Sequence, residues 1–71
     1  MTKSAIQVQF NGKPVELELP TTIANLLVHA EIRSQLVAVE VNGEIIPREQ
    51  HAEHQLADGD IVEAVTLVGG G

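Results

Sequence analysis

A chain of 71 residues that is 44% apolar, with no Cys and a single aromatic side chain, holds material for one small domain and no second core. The missing Cys excludes a disulfide framework, a thiol nucleophile and a Cys-type zinc site, and one Phe does not line a large aromatic cofactor pocket. The formal charge of −6 is uneven: Lys3, Lys13 and Arg33 balance Glu16, Glu18 and Glu31, whereas Glu40, Glu44, Glu49, Glu53, Asp58, Asp60 and Glu63 face Arg48 alone.

Met1 to Ala5 leads into an alternating pattern rather than the unbroken apolar core of a signal peptide, and no run approaches the ~20 apolar residues of a membrane-spanning helix. A cytoplasmic location is expected. Ile6, Val8 and Phe10 alternate with Gln7 and Gln9, the pattern of a half-buried strand. Asn11-Gly12 suits the positive backbone angles of a tight hairpin turn, with Lys13-Pro14 available to lengthen the loop. Val15, Leu17 and Leu19 then alternate with Glu16 and Glu18 as the answering strand, which Pro20 ends.

Thr21 or Thr22 caps a helix whose Ile23, Leu26, Leu27 and Ala30 recur at helical spacing, over roughly ten residues and about 15 Å. His29 flanks this stripe on the surface. Val37, Val39 and Val41 form a third strand, Asn42-Gly43 a second turn and Ile45-Ile46 a short strand, before Pro47 restricts the next residues to an edge or loop. Arg48 to Ala57 reads as a short helical turn or coil anchored by Leu56 and carrying little core. Asp58-Gly59-Asp60 turns the chain into a last strand, Ile61 to Val68, which runs into Gly69-Gly70-Gly71.

This order predicts an α+β domain over residues 1–68, a mixed sheet of four or five strands with one main helix on one face, followed by a flexible glycine tail at 69–71. In the last strand, a solvent-facing Glu63 brings Ile61, Val65 and Leu67 to the same side as an apolar docking patch; the opposite register buries that side against the helix, and a strand buried on both faces also suits the pattern. Three terminal glycines stabilise no strand; without side chains such a tail can enter a narrow channel in another protein and deliver a carboxylate there, the alternative being a frayed or artificially appended end.

Other candidates for chemistry are sparse. His51 and His54, beside Glu49 and Glu53, form a two-imidazole cluster without a third ligand, so a solvated surface is expected and no metal site. Ser4 and Ser34 lack an activating base, and the carboxylates show no spacing of a paired acid and base. No enzyme active site is expected. Arg48, the one cation of the acidic half, either contacts a partner, pairs with Glu44 or Glu49, or pins the loop through a carbonyl contact. The acidic half itself repels nucleic acid and membrane surfaces, and either attracts a basic partner or serves solubility.

The element order ending in Gly-Gly resembles the ubiquitin-like β-grasp sulfur carriers, and more closely those of thiamine biosynthesis, the ThiS family. The resemblance covers nearly the whole chain. It is carried by Val41-Asn42-Gly43, Ile46-Pro47-Arg48, Leu56 with Asp58-Gly59-Asp60, and Val68-Gly69-Gly70-Gly71; His51 stands where family members often have Trp. It implies that a ThiF-type adenylating enzyme consumes ATP to activate the Gly71 carboxylate, with Gly69 and Gly70 threaded into it. A sulfur donor protein then yields a thiocarboxylate for thiazole synthase of the ThiG type, and the carrier holds no cofactor of its own. Ile61, Val65, Leu67 and Arg48 are its candidate partner contacts. Two alternatives are the small subunit of molybdopterin synthase, also a carrier but usually longer, and a noncovalent ubiquitin-like interaction module.

Overall fold

The computed structural model describes residues 5–67. Five strands, β1 (Ala5–Phe10), β2 (Lys13–Glu18), β3 (Val37–Val41), β4 (Glu44–Ile46) and β5 (Ile61–Thr66), and one helix, α1 (Ile23–His29), follow one another as expected, with α1 between β2 and β3. The sheet order is β2-β1-β5-β3-β4, so the last strand lies in the middle of the sheet. It runs parallel to β1 and antiparallel to β3.

The two hairpins close alike. Asn11 and Gly12 have φ of 52° and 85°, Asn42 and Gly43 of 53° and 86°, the doubly positive pattern that matches strand twist and that Asn-Gly tolerates at little cost. The first turn stays at two residues: Lys13 pairs with Phe10 and Pro14 with Gln9, so Lys13-Pro14 belongs to the strand rather than to a longer loop. Pro14 is tolerated there because β2 is an edge strand.

Each turn asparagine also grips β5. The Asn11 N–H donates to Val62 O (2.9 Å) and its Oδ1 accepts from the Ala64 N–H (2.9 Å). On the other flank the Asn42 N–H donates to Ile61 O (2.7 Å), its Oδ1 accepts from the Ile61 N–H (2.9 Å) and its Nδ2 donates to Asp60 Oδ1 (3.0 Å). The Asp58-Gly59-Asp60 turn is pinned likewise, with Asp58 Oδ1 accepting from the Gln7 N–H (2.8 Å) and Asp60 Oδ2 from the Ala57 N–H (2.8 Å).

Ile6, Val8, Leu17, Val37, Val39, Ile46 and Val62 bury one sheet face against Ile23, Leu26 and Leu27 of α1, each of these side chains contributing about 2 kcal/mol. Thr22 caps the helix, its Oγ1 accepting from the Asn25 N–H (3.2 Å). The helix has seven residues instead of ten because Glu31 turns left-handed (φ 61°). The Ile32 N–H then bonds Leu27 O (2.8 Å) and the Glu31 N–H bonds Val28 O (3.0 Å), a Schellman closure that leaves Ala30 at the cap.

The segment after Pro47 does more than the sequence suggested. A 3-10 turn at Arg48–Gln50 leads to carbonyls of His51 and His54 that accept from the Ala24 (3.0 Å) and Ile23 (3.1 Å) N–H groups, otherwise orphan donors of the first helical turn. Leu56 and the His51 side chain are both buried beneath it.

Glu31→Gly is expected to stabilise the chain by about 0.5 to 1 kcal/mol in urea unfolding, because glycine occupies the left-handed C-terminal position without a Cβ penalty. Asn42→Gly keeps the turn angles but removes the grip on β5, and is expected to cost about 1 to 2 kcal/mol in the same measurement.

Candidate functional site

Along β5 alternate side chains face opposite ways, and the register decides what the outer sheet face carries. Val62 is buried beneath α1, so Ile61, Glu63 and Val65 emerge on the side away from the helix. Ile61 is 50% exposed, Val65 57% and Leu67 63%. Of the two registers the sequence allowed, the structure has the one with Glu63 and its apolar neighbours in solvent.

Neighbouring strands extend the patch. Ala38 lies across from Val65, and Glu40 lies between Glu63 on one side and Ile45 on the other. Ile45 is 66% exposed, and Leu36 stands nearby at the start of β3, where its carbonyl accepts from the Leu67 N–H (2.8 Å). Exposed apolar side chains gathered on one sheet face around a polar pair make this face a candidate docking surface. Glu40 and Glu63, like charges directly opposite one another, are mutually unfavourable in the free chain.

Arg48 lies exposed at the exit end of the sheet. It shares a shallow groove of ≈ 390 Å³ with Val37, Ala38, Ile45, Pro47 and Leu67. Thus Ile61 and Val65 stand on the outer face, Leu67 at its end, and Arg48 across a groove from Leu67. The sequence reading missed Ile45 as a surface residue. Its signal was the pair Ile45-Ile46, since adjacent strand residues face opposite sides and only one of them reaches the core.

The histidines separate. His51 is buried, not solvated: Nε2 lies 3.1 Å from the Ile46 carbonyl, an acceptor, so that nitrogen carries the proton and donates. Its Nδ1 is buried without a hydrogen-bond partner among the described residues, while His54 is half-exposed on the surface. The ring closes the base of the segment that caps α1, so a bulky side chain fills that position. Among the described residues no three His, Cys, Asp or Glu side chains gather around a metal-sized space.

Gly69, Gly70 and Gly71, and the expected tail they form, lie outside the described residues. What the structure supplies is their point of departure: the end of the central strand, beside the apolar face and the Arg48 groove. No helix among the described residues is long and apolar enough to cross a membrane.

A five-stranded mixed sheet with a single helix across one face, and a last strand at its centre, defines a ubiquitin-like β-grasp protein. The model of the ThiS family matches residues 8–71, and the chain belongs to that family. It is 43% identical over 65 residues to the sulfur carrier protein ThiS of Bacillus subtilis, covering 90% of this chain and 98% of that protein. The crystal structure of the thiamine biosynthesis protein ThiS from Geobacter metallireducens superposes with a TM-score of 0.78 at 32% identity, covering 93% of this chain and all of that one (100%). A thiazole synthase of Paramagnetospirillum magneticum is 35% identical over 66 residues, 93% of this chain but 20% of that protein.

His51→Ala is expected to lower the unfolding free energy by about 2 to 3 kcal/mol, through a cavity and the orphaned Ile46 carbonyl. His54→Ala is expected to change it by less than about 0.5 kcal/mol, and urea titration of both variants checks the contrast.

Proposed function

We propose that this chain is a sulfur carrier for thiazole formation in thiamine biosynthesis: a substrate handed between cytoplasmic enzymes, not a catalyst. The observation that carries the proposal is the juxtaposition of an exposed apolar sheet face with the exit of a chain ending in three glycines, in a member of a family whose relatives are named sulfur carriers.

A carboxylate is a poor electrophile, so its activation must precede sulfur transfer. In the proposed reaction an oxygen of the Gly71 carboxylate attacks the α-phosphorus of ATP on a ThiF-type adenylating enzyme, and pyrophosphate leaves. A sulfide-level nucleophile from a sulfur donor protein then attacks the acyl carbon; AMP departs with the bridging oxygen, and the terminus becomes a thiocarboxylate. Glycines 69 and 70 let the backbone enter a channel too narrow for side chains. The β-grasp domain provides recognition, through Ile45, Ile61, Val65 and Leu67 with Arg48 at the rim, and the Glu40–Glu63 pair selects a partner with a basic group there. A thiazole synthase as the acceptor is supported by relatives of that name containing a segment similar to this chain.

Incubation with ATP, a sulfur source and a ThiF-type enzyme is expected to raise the intact mass by the replacement of one oxygen by sulfur, with no change in a chain lacking Gly71. An unchanged mass with an enzyme proven active on its own carrier would refute the proposal. Val65→Asp is expected to slow this conversion about 10-fold or more while costing only about 1 kcal/mol in urea unfolding, since it alters an exposed position at the centre of the patch.

A further inference from the structure

The central strand outruns its parallel neighbour. β1 pairs with β5 only through Gln9 and Phe10, opposite Ile61 and Val62, and the chain then turns back at Asn11-Gly12. On the other flank β5 stays paired with β3 through Thr66. Its C-terminal half is therefore flanked by a strand on one side alone among the described residues.

Backbone direction identifies the groups left on the open side. Odd-numbered residues of this stretch turn toward β3, as the bonds of Ile61 with Asn42 and of the Leu67 N–H with Leu36 O show. Even-numbered residues turn the other way: Asp60 O accepts from Gln9, Val62 O from Asn11, and the Ala64 N–H donates to Asn11 Oδ1. The Asn11 side chain thus takes the place of one further strand residue and stops there. By the same alternation the Ala64 carbonyl and the Thr66 N–H and carbonyl point beyond the end of β1.

Natural edges of this kind are blunted by charge, proline or a bulge. Here neither side-chain charge nor proline does so: from Ala64 to Gly71 the sequence carries no charged side chain and no proline, and it is rich in β-forming Val and Thr.

We infer that the Ala64–Thr66 edge receives a strand of the activating enzyme, extending the sheet across the two proteins. This rests on the carrier reading above. The edge leads directly into the reacting terminus, so backbone bonds here set the distance and direction at which Gly71 reaches the enzyme, while the outer face supplies apolar contact. Strand addition reads backbone more than side chains, in keeping with the small and neutral residues present.

The test is Thr66→Pro. Proline removes the Thr66 N–H, which makes no bond to β3, and Val65 is already extended as a residue before proline must be. The expected result is a urea midpoint close to that of the unmodified chain with kcat/KM for adenylation lowered about 10-fold, against a change within about 2-fold for Thr66→Val. Equal adenylation of Thr66→Pro and the unmodified chain would overturn the inference. Amide exchange on the unmodified chain decides it whether or not the variant folds. Exchange at Thr66 is expected to slow on adding the enzyme, and an unchanged rate in the complex, or concentration-dependent slowing in the chain alone, would overturn it. If the unmodified chain is never adenylated the carrier reading fails; if it is, and Thr66→Pro matches it, strand addition alone fails.

Discussion

The fold depends on holding its last strand in the middle of the sheet. β5 joins the hairpin of β1 and β2 to the hairpin of β3 and β4, and neither hairpin pairs with the other. Its parallel ladder with β1 is only two residue pairs long. Two asparagines make up for that short ladder. Asn11 bonds the backbone of Val62 and Ala64 on one flank, and Asn42 bonds that of Ile61 on the other. Both sit at positive φ, where Asn is among the few residues that hold a tight turn while keeping a side chain able to reach across.

From that constraint the rest of the surface follows. With Val62 fixed beneath the helix, alternation sends Ile61, Glu63 and Val65 outward, next to Ala38, Glu40 and Ile45. The same register carries the chain out of the sheet at Leu67, beside Arg48. In the carrier role proposed above, this arrangement makes the domain the part that specifies where the terminus goes, with the chemistry left to the partner enzymes.

Much of this was legible in the chain. Strict alternation marked β1, β2 and β3, both Asn-Gly pairs marked hairpins, and Ile23, Leu26 and Leu27 marked the buried stripe of α1. The two registers of β5 were equally allowed, because apolar residues occupy both its faces; only the packing of Val62 against the helix separates them. What stayed hidden is long-range or rule-breaking. The grip of Asn11 on Ala64 spans 53 positions, and no local pattern announces it. Glu31 adopts a left-handed angle that the sequence would assign to glycine, and so shortens the helix. His51 is buried amid Glu49, Gln50 and Glu53, where polar neighbours disguise a core position.

The carrier assignment is tested head-on by a structure of the chain bound to a ThiF-type adenylating enzyme with a nonhydrolysable ATP analogue. Ile45, Ile61, Val65 and Leu67 are expected to be buried against the enzyme, with the Gly71 carboxylate facing the α-phosphate. A complex in which that sheet face stays in solvent, or in which Gly71 lies away from the nucleotide, would contradict it.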